Sequence, residues 1–112
     1  MKINEYQELA LRTANTAAMK IKEEAMINGA LGLNGEAGEV ADIIKKSRYQ
    51  GHELDRDHIA KELGDVCWYI ALLAYSIDCD LETIMQMNID KLKKRYPQGF
   101  EKERSLHREG EE

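Results

Sequence analysis

Apolar side chains at Ile59, Leu63, Val66, Ile70, Leu73 and Ile77 recur at alternating spacings of four and three. That rhythm keeps one helical stripe apolar for about five turns and cannot arise from the two-residue alternation of a strand. It predicts a helix from about Asp57 to Asp78, about 33 Å long at 1.5 Å per residue. Asp55 or Asp57 can cap it. A seam of this kind has to be buried against other helices. Little in the rest of the chain offers strands instead: one proline, Pro97, and only five Tyr, one Trp and one Phe in 112 residues. Sandwiches and barrels need many turns and many β-branched or aromatic strand residues. Ala, Leu, Ile, Met, Lys and Glu dominate, so the fold class is all-α.

Three further helices are expected. The first runs from about Asn4 to Met26, with Asn4 and Gln7 at capping-box spacing and a weak, Ala-rich stripe. Asn28 and Gly29 punctuate the chain. The second covers about Leu31 to Ser47. Glycines at 29, 32, 35 and 38 leave two readings open, close helix approach or a loop over 28–35, since each helical glycine costs about 1 kcal/mol relative to alanine. The fourth begins after Asp80 and ends at Tyr96, because proline follows. Residues 101–112, EKERSLHREGEE, have almost no apolar content and read as a charged, flexible tail. The expectation is therefore a four-helix bundle over residues 1–100, one domain by length. Short helices, the first of them Ala-rich, further predict burial between subunits.

Sixteen basic and 21 acidic residues give a net charge of −5. That excludes a broad surface for a nucleic-acid backbone. No run of about 18 apolar residues exists to cross a membrane, and Met1–Ala10 does not have the pattern of a secretory signal. Cys67 and Cys79 lie 12 positions apart. On one helix that is about 18 Å, too far for a disulfide. Two buried thiols in a reducing cytoplasm are expected.

Two acidic pairs do not read as plain surface. Glu36 and Glu39 form E-x-x-E in the second helix, and Glu62 and Asp65 form E-x-x-D in the third. Residues i and i+3 share a helix face, and both pairs edge the apolar positions that must pack. One E-x-x-E alone is usually solvated surface. Two on adjacent helices bring four carboxylates together, and their mutual repulsion would raise their pKa values unless cations offset it. Oxygen-only donors favour Mg²⁺, Mn²⁺ or Ca²⁺. A di-iron bundle needs Glu-x-x-His pairs, and none of His52, His58 and His107 supplies one in a helix. A third cluster, Asn88, Lys91 and Arg95, lies on one face of the fourth helix and is followed by Tyr96. It reads either as a solvated basic face or as a phosphate clamp, and Lys45, Lys46 and Arg48 share the ambiguity. Tyr69 and Trp68 can stack on a base or pack in the core.

The stretches GLNGEAGEVADIIKK (32–46), KELGDVCWYIALLA (61–74) and NIDKLKKRYPQGF (88–100), in this order, resemble the MazG-like nucleotide pyrophosphohydrolases of the all-α NTP pyrophosphatase superfamily. The resemblance spans about residues 25–100. It implies a four-helix fold packed as a homodimer or homotetramer. It also implies Mg²⁺-dependent hydrolysis, with Mn²⁺ as a possible substitute, of a nucleoside triphosphate to the monophosphate and pyrophosphate. By the same resemblance Glu36, Glu39, Glu62 and Asp65 are the metal ligands, and Lys91 and Arg95 the phosphate contacts. Asn88, Tyr69 and Tyr96 join the substrate site, and Glu36 or Glu39 activates the attacking water. The competing expectations are a phosphoribosyl-ATP pyrophosphohydrolase, against which the NIDKLKKRYP ending speaks, and a non-catalytic helical oligomerisation module.

Overall fold

The computed structural model describes residues 1–14 and 16–107. It is all-α: α1 (Ile3–Leu11), α2 (Thr16–Lys20), α3 (Lys22–Tyr49), α4 (Arg56–Ser76), α5 (Leu81–Arg95) and α6 (Lys102–Leu106). Six helices among the described residues replace the expected four. The chain divides into two compact units, one of residues Met1–Leu81 and one from Glu82 onwards.

In the first unit α4 packs most extensively on α3 and also on α1, while α2 packs on α3. Asp55 caps α4, its carboxylate accepting the His58 backbone N–H at 3.0 Å. The expected single helix over 4–26 instead breaks after Leu11. There the Ala10 carbonyl accepts from the Thr13 hydroxyl at 2.7 Å and from the Trp68 indole at 3.1 Å. The expected break at Asn28–Gly29 is absent, and α3 runs through it for 28 residues. Helix contact explains this continuity. A Cβ on Gly29 would lie 3.1 Å from the Leu73 Cβ, and one on Gly32 would overlap the Tyr69 ring. Of the two readings of these glycines, close approach holds at 29 and 32, and the loop over 28–35 is overturned.

Gln7 does not act in a capping box with Asn4. The Lys2 backbone N–H donates instead to Glu5 Oε1 at 3.1 Å, and Gln7 is buried. Its amide donates to the Ala71 carbonyl at 3.3 Å and accepts the Leu81 N–H at 2.9 Å.

The heptad seam is not the most buried face of α4. Ala71, Leu72 and Ala74 are buried, whereas Leu63 is 50% and Ile77 55% exposed. With α1 on one flank and α3 on the other, the buried sector is displaced from the line of the seam. On α3, Ile27 and Leu31 are also exposed, Leu31 at 70%. The thiols are free as expected, but Cys67 is exposed and Cys79 half-buried. No helix among the described residues is long and apolar enough to cross a membrane.

In the second unit α5 stops at Arg95, two residues before Pro97. A turn follows in which the Gly99 N–H donates to the Tyr96 carbonyl at 3.1 Å, with Gly99 at φ +91°. The Tyr96 and Phe100 rings lie 5.1 Å apart. The expected charged, flexible tail needs correction in part: 102–106 is helical, and Arg104 bonds to the end of α5. Residues 108–112 of that tail lie outside the described residues.

The helical glycines give a paired expectation. Gly32→Ala forces the Tyr69 ring to move and should destabilise the fold by about 1–3 kcal/mol, as overpacked sites do. Gly35→Ala meets nothing within 4 Å, so helix propensity alone should stabilise it, by up to about 1 kcal/mol. Urea unfolding of the two variants checks the order, and equal effects would contradict the packing.

Candidate metal centre

The acidic site is built where α3 and α4 pack. Glu62 and Asp65, one helical turn apart on α4, share the face turned to α3, and Glu36 approaches from α3 itself. One carboxylate oxygen from each of Glu36, Glu62 and Asp65 lies within 4.8 Å of the other two. Glu36 and Glu62 are half-buried and Asp65 is exposed. Glu39 falls outside this trio and is exposed, although its charge reaches Glu36.

The electrostatics record the crowding. The Glu36 carboxyl is pushed up from 4.5 to about 7, first by its hydrogen bond with Glu62. Burial and the negative charges of Glu62, Asp65 and Glu39 follow. Around neutral pH the Glu36 carboxyl is therefore only partly ionised, as a carboxyl crowded by other carboxylates is. A divalent cation removes the need for its remaining proton. An all-oxygen donor set of this kind fits a hard divalent cation.

One neighbour escaped the sequence reading. His58 Nε2 lies 3.4 Å from Glu62 Oε1. It is not part of a Glu-x-x-His pair, and the signal for it is the i, i+4 spacing of His58 and Glu62 on one helix face.

The other candidates divide clearly. Lys46 and Lys45 both pair with Asp42, at 2.9 and 3.6 Å. That pairing raises the Lys46 pKa and lowers that of Asp42, so these cations act within α3. The Tyr69 ring lies over Gly32 and meets Trp68 edge-on at 5.0 Å. The Trp68 indole donates to Ala10 and Thr13. Both rings are therefore engaged in helix packing. Asn88, Lys91, Arg95 and Tyr96 belong to the second unit. Asn88 and Lys91 are exposed, Arg95 and Tyr96 half-buried.

The MazG nucleotide pyrophosphohydrolase domain family matches residues 27–100, a stretch that includes all four acidic residues and the α5 cluster. The "Gene 37 protein" of Mycobacterium phage L5 is 42% identical over 73 residues, covering 62% of this chain and 64% of that protein. The chain thus spans just under two thirds of that relative's length. No solved structure matches the chain.

Proposed function

Because the chain belongs to the MazG nucleotide pyrophosphohydrolase family, we propose that it is a Mg²⁺-dependent enzyme that cleaves nucleoside triphosphates between the α and β phosphates. The products are the nucleoside monophosphate and pyrophosphate, and the role is housekeeping of the cytoplasmic nucleotide pool. The observation that carries this reading is the convergence of Glu36, Glu62 and Asp65 from two helices.

When bound, Mg²⁺ supplies charge neutralisation and Lewis-acid polarisation at the phosphates. Glu36, Glu62 and Asp65 would hold it, with Glu39 completing the set or standing by as base. Glu39 or Glu36 orients the attacking water and takes its proton. Glu39's place outside the trio, on the same helix, suits the base role. Lys91 and Arg95 neutralise the departing pyrophosphate, Asn88 and Tyr96 flank them, and Tyr69 borders the nucleotide. No covalent intermediate on the protein is needed. A homodimer or homotetramer belongs to the same reading, and exposed Ile27, Leu31 and Leu63 support it by giving subunits apolar surface to bury.

The decisive experiment measures pyrophosphate release from a panel of ribo- and deoxyribonucleoside triphosphates and from phosphoribosyl-ATP, with Mg²⁺, Mn²⁺ or EDTA. Metal-dependent turnover of one or more triphosphates is expected, and EDTA should remove it. Turnover of phosphoribosyl-ATP alone would reassign the substrate. No turnover of any substrate would leave a non-catalytic helical module.

A further inference from the structure

The segment after α5 returns to the helix that precedes it. Arg104 Nε donates to the Arg95 carbonyl at 2.6 Å, and the same guanidinium reaches the Lys94 carbonyl at 3.2 Å. These are the last two residues of α5, at the end of a helix where side chains commonly cap the backbone carbonyls. A cation placed there also opposes the negative end of the helix dipole. Two more contacts close the loop: the Gly99 N–H on the Tyr96 carbonyl and the Tyr96–Phe100 ring pair. The Ser105 N–H, donating to the Glu101 carbonyl at 3.1 Å, holds the first turn of α6 that presents Arg104.

We propose that Arg104 is a positioning residue for the nucleotide site: by clasping the carbonyls of Lys94 and Arg95 it orders the last turn of α5 and so fixes the Arg95 side chain for phosphate. The inference rests on the reading of Arg95 as a phosphate contact. It adds a residue beyond the matched segment 27–100. The planar fork of arginine suits the task, because it can donate to two carbonyls at once. A lysine ammonium on a flexible stem would hold them less well, so Arg104→Lys should fall between the native protein and Arg104→Ala.

The test uses the full-length chain and two readouts. Backbone ¹⁵N relaxation reports order at Arg95 and Tyr96. Arg104→Ala should lower their order parameters from the rigid value of about 0.85 toward about 0.6. Steady-state kinetics on the best triphosphate should show kcat/KM lowered on the order of tenfold with partial rescue by Arg104→Lys, because a displaced Arg95 would hold the phosphates less well both in the bound substrate and as pyrophosphate departs. Arg95→Ala is the reference. If it lowers kcat/KM and Arg104→Ala does not, the proposal alone is overturned. If Arg95→Ala leaves kcat/KM unchanged, the phosphate reading of Arg95 fails and the proposal falls with it. Unchanged order at residues 95 and 96 in Arg104→Ala overturns it on structural grounds.

Discussion

Replacing Glu36 by Gln is expected to abolish turnover and, in the same protein, to raise the stability of the metal-free fold at pH 8. Both effects have one source. The Glu36 carboxyl is held at about 7, against 4.5 for an ordinary carboxyl, by its hydrogen bond with Glu62, by burial and by the surrounding negative charge. A carboxyl whose pKa is raised on folding contributes stability that is complete below its unfolded value. That contribution is lost as pH rises through the folded value. The metal-free native protein should therefore weaken between about pH 4.5 and pH 7, whereas Glu36→Gln, with no charge to develop, should not. Mg²⁺ should reverse the order at pH 8, stabilising the native protein through linked binding and the variant little. Turnover should fall by at least about 10²-fold, since removing even an outer partner of a metal ligand costs 10–100-fold. Thermal melts from pH 5 to 8, with EDTA or with Mg²⁺, read the stability arm. Parallel pH profiles for the two proteins, or a Glu36→Gln enzyme that still turns over, would sink the assignment.

Local rules carried the sequence reading where the determining contacts are local. The 4-3 rhythm located α4, Asp55 was one of two candidate caps at its start, and Pro97 marked the end of α5 to within a residue. The i, i+3 rule set Glu62 and Asp65 on one face, and only the packing of α3 on α4 had to be assumed to bring in Glu36. The failures share a different cause. Asn28 and Gly29 read as punctuation, and the glycines at 29, 32, 35 and 38 left close helix approach and a loop both open, because glycine lowers helix propensity. What outweighs that loss is contact with Leu73 and Tyr69, about forty residues on, which no window of sequence displays. Burial on α4 shifted off the heptad line because two helices flank it. The tail read as unstructured from composition, yet the groups that hold it are backbone carbonyls of α5, which leave no mark on composition. Glu39 shows the same limit on a smaller scale. Its spacing from Glu36 puts both on one side of α3, but the position of α4 selects which of them meets Glu62 and Asp65.

Gln7→Glu should be among the most destabilising single-atom changes in the chain. The two side chains share shape and similar helix propensity, so the substitution isolates polarity at a buried site. In the native fold the Gln7 amide nitrogen donates to the Ala71 carbonyl at 3.3 Å and faces the Cys79 carbonyl at 3.5 Å. Its oxygen accepts the Leu81 N–H at 2.9 Å. A glutamate would set a carboxylate oxygen against two carbonyl oxygens with no donor between them. An uncompensated buried charge of this kind costs about 3–5 kcal/mol, a large fraction of the stability of a small domain. Below its unfolded pKa of about 4.3 the new carboxyl is protonated and can donate to Ala71 as the amide did. The variant should therefore approach native stability near pH 4 and lose it as pH rises through its elevated folded pKa. Gln7→Met supplies the uncharged comparison. It leaves the Leu81 N–H without its partner, costs about 1–3 kcal/mol, and should not change with pH in this way. Urea unfolding at pH 4 and pH 7 separates the three proteins. A Gln7→Glu protein as stable as the native one at pH 7 would mean that this amide is not what fastens α1 to Leu81 at the start of α5.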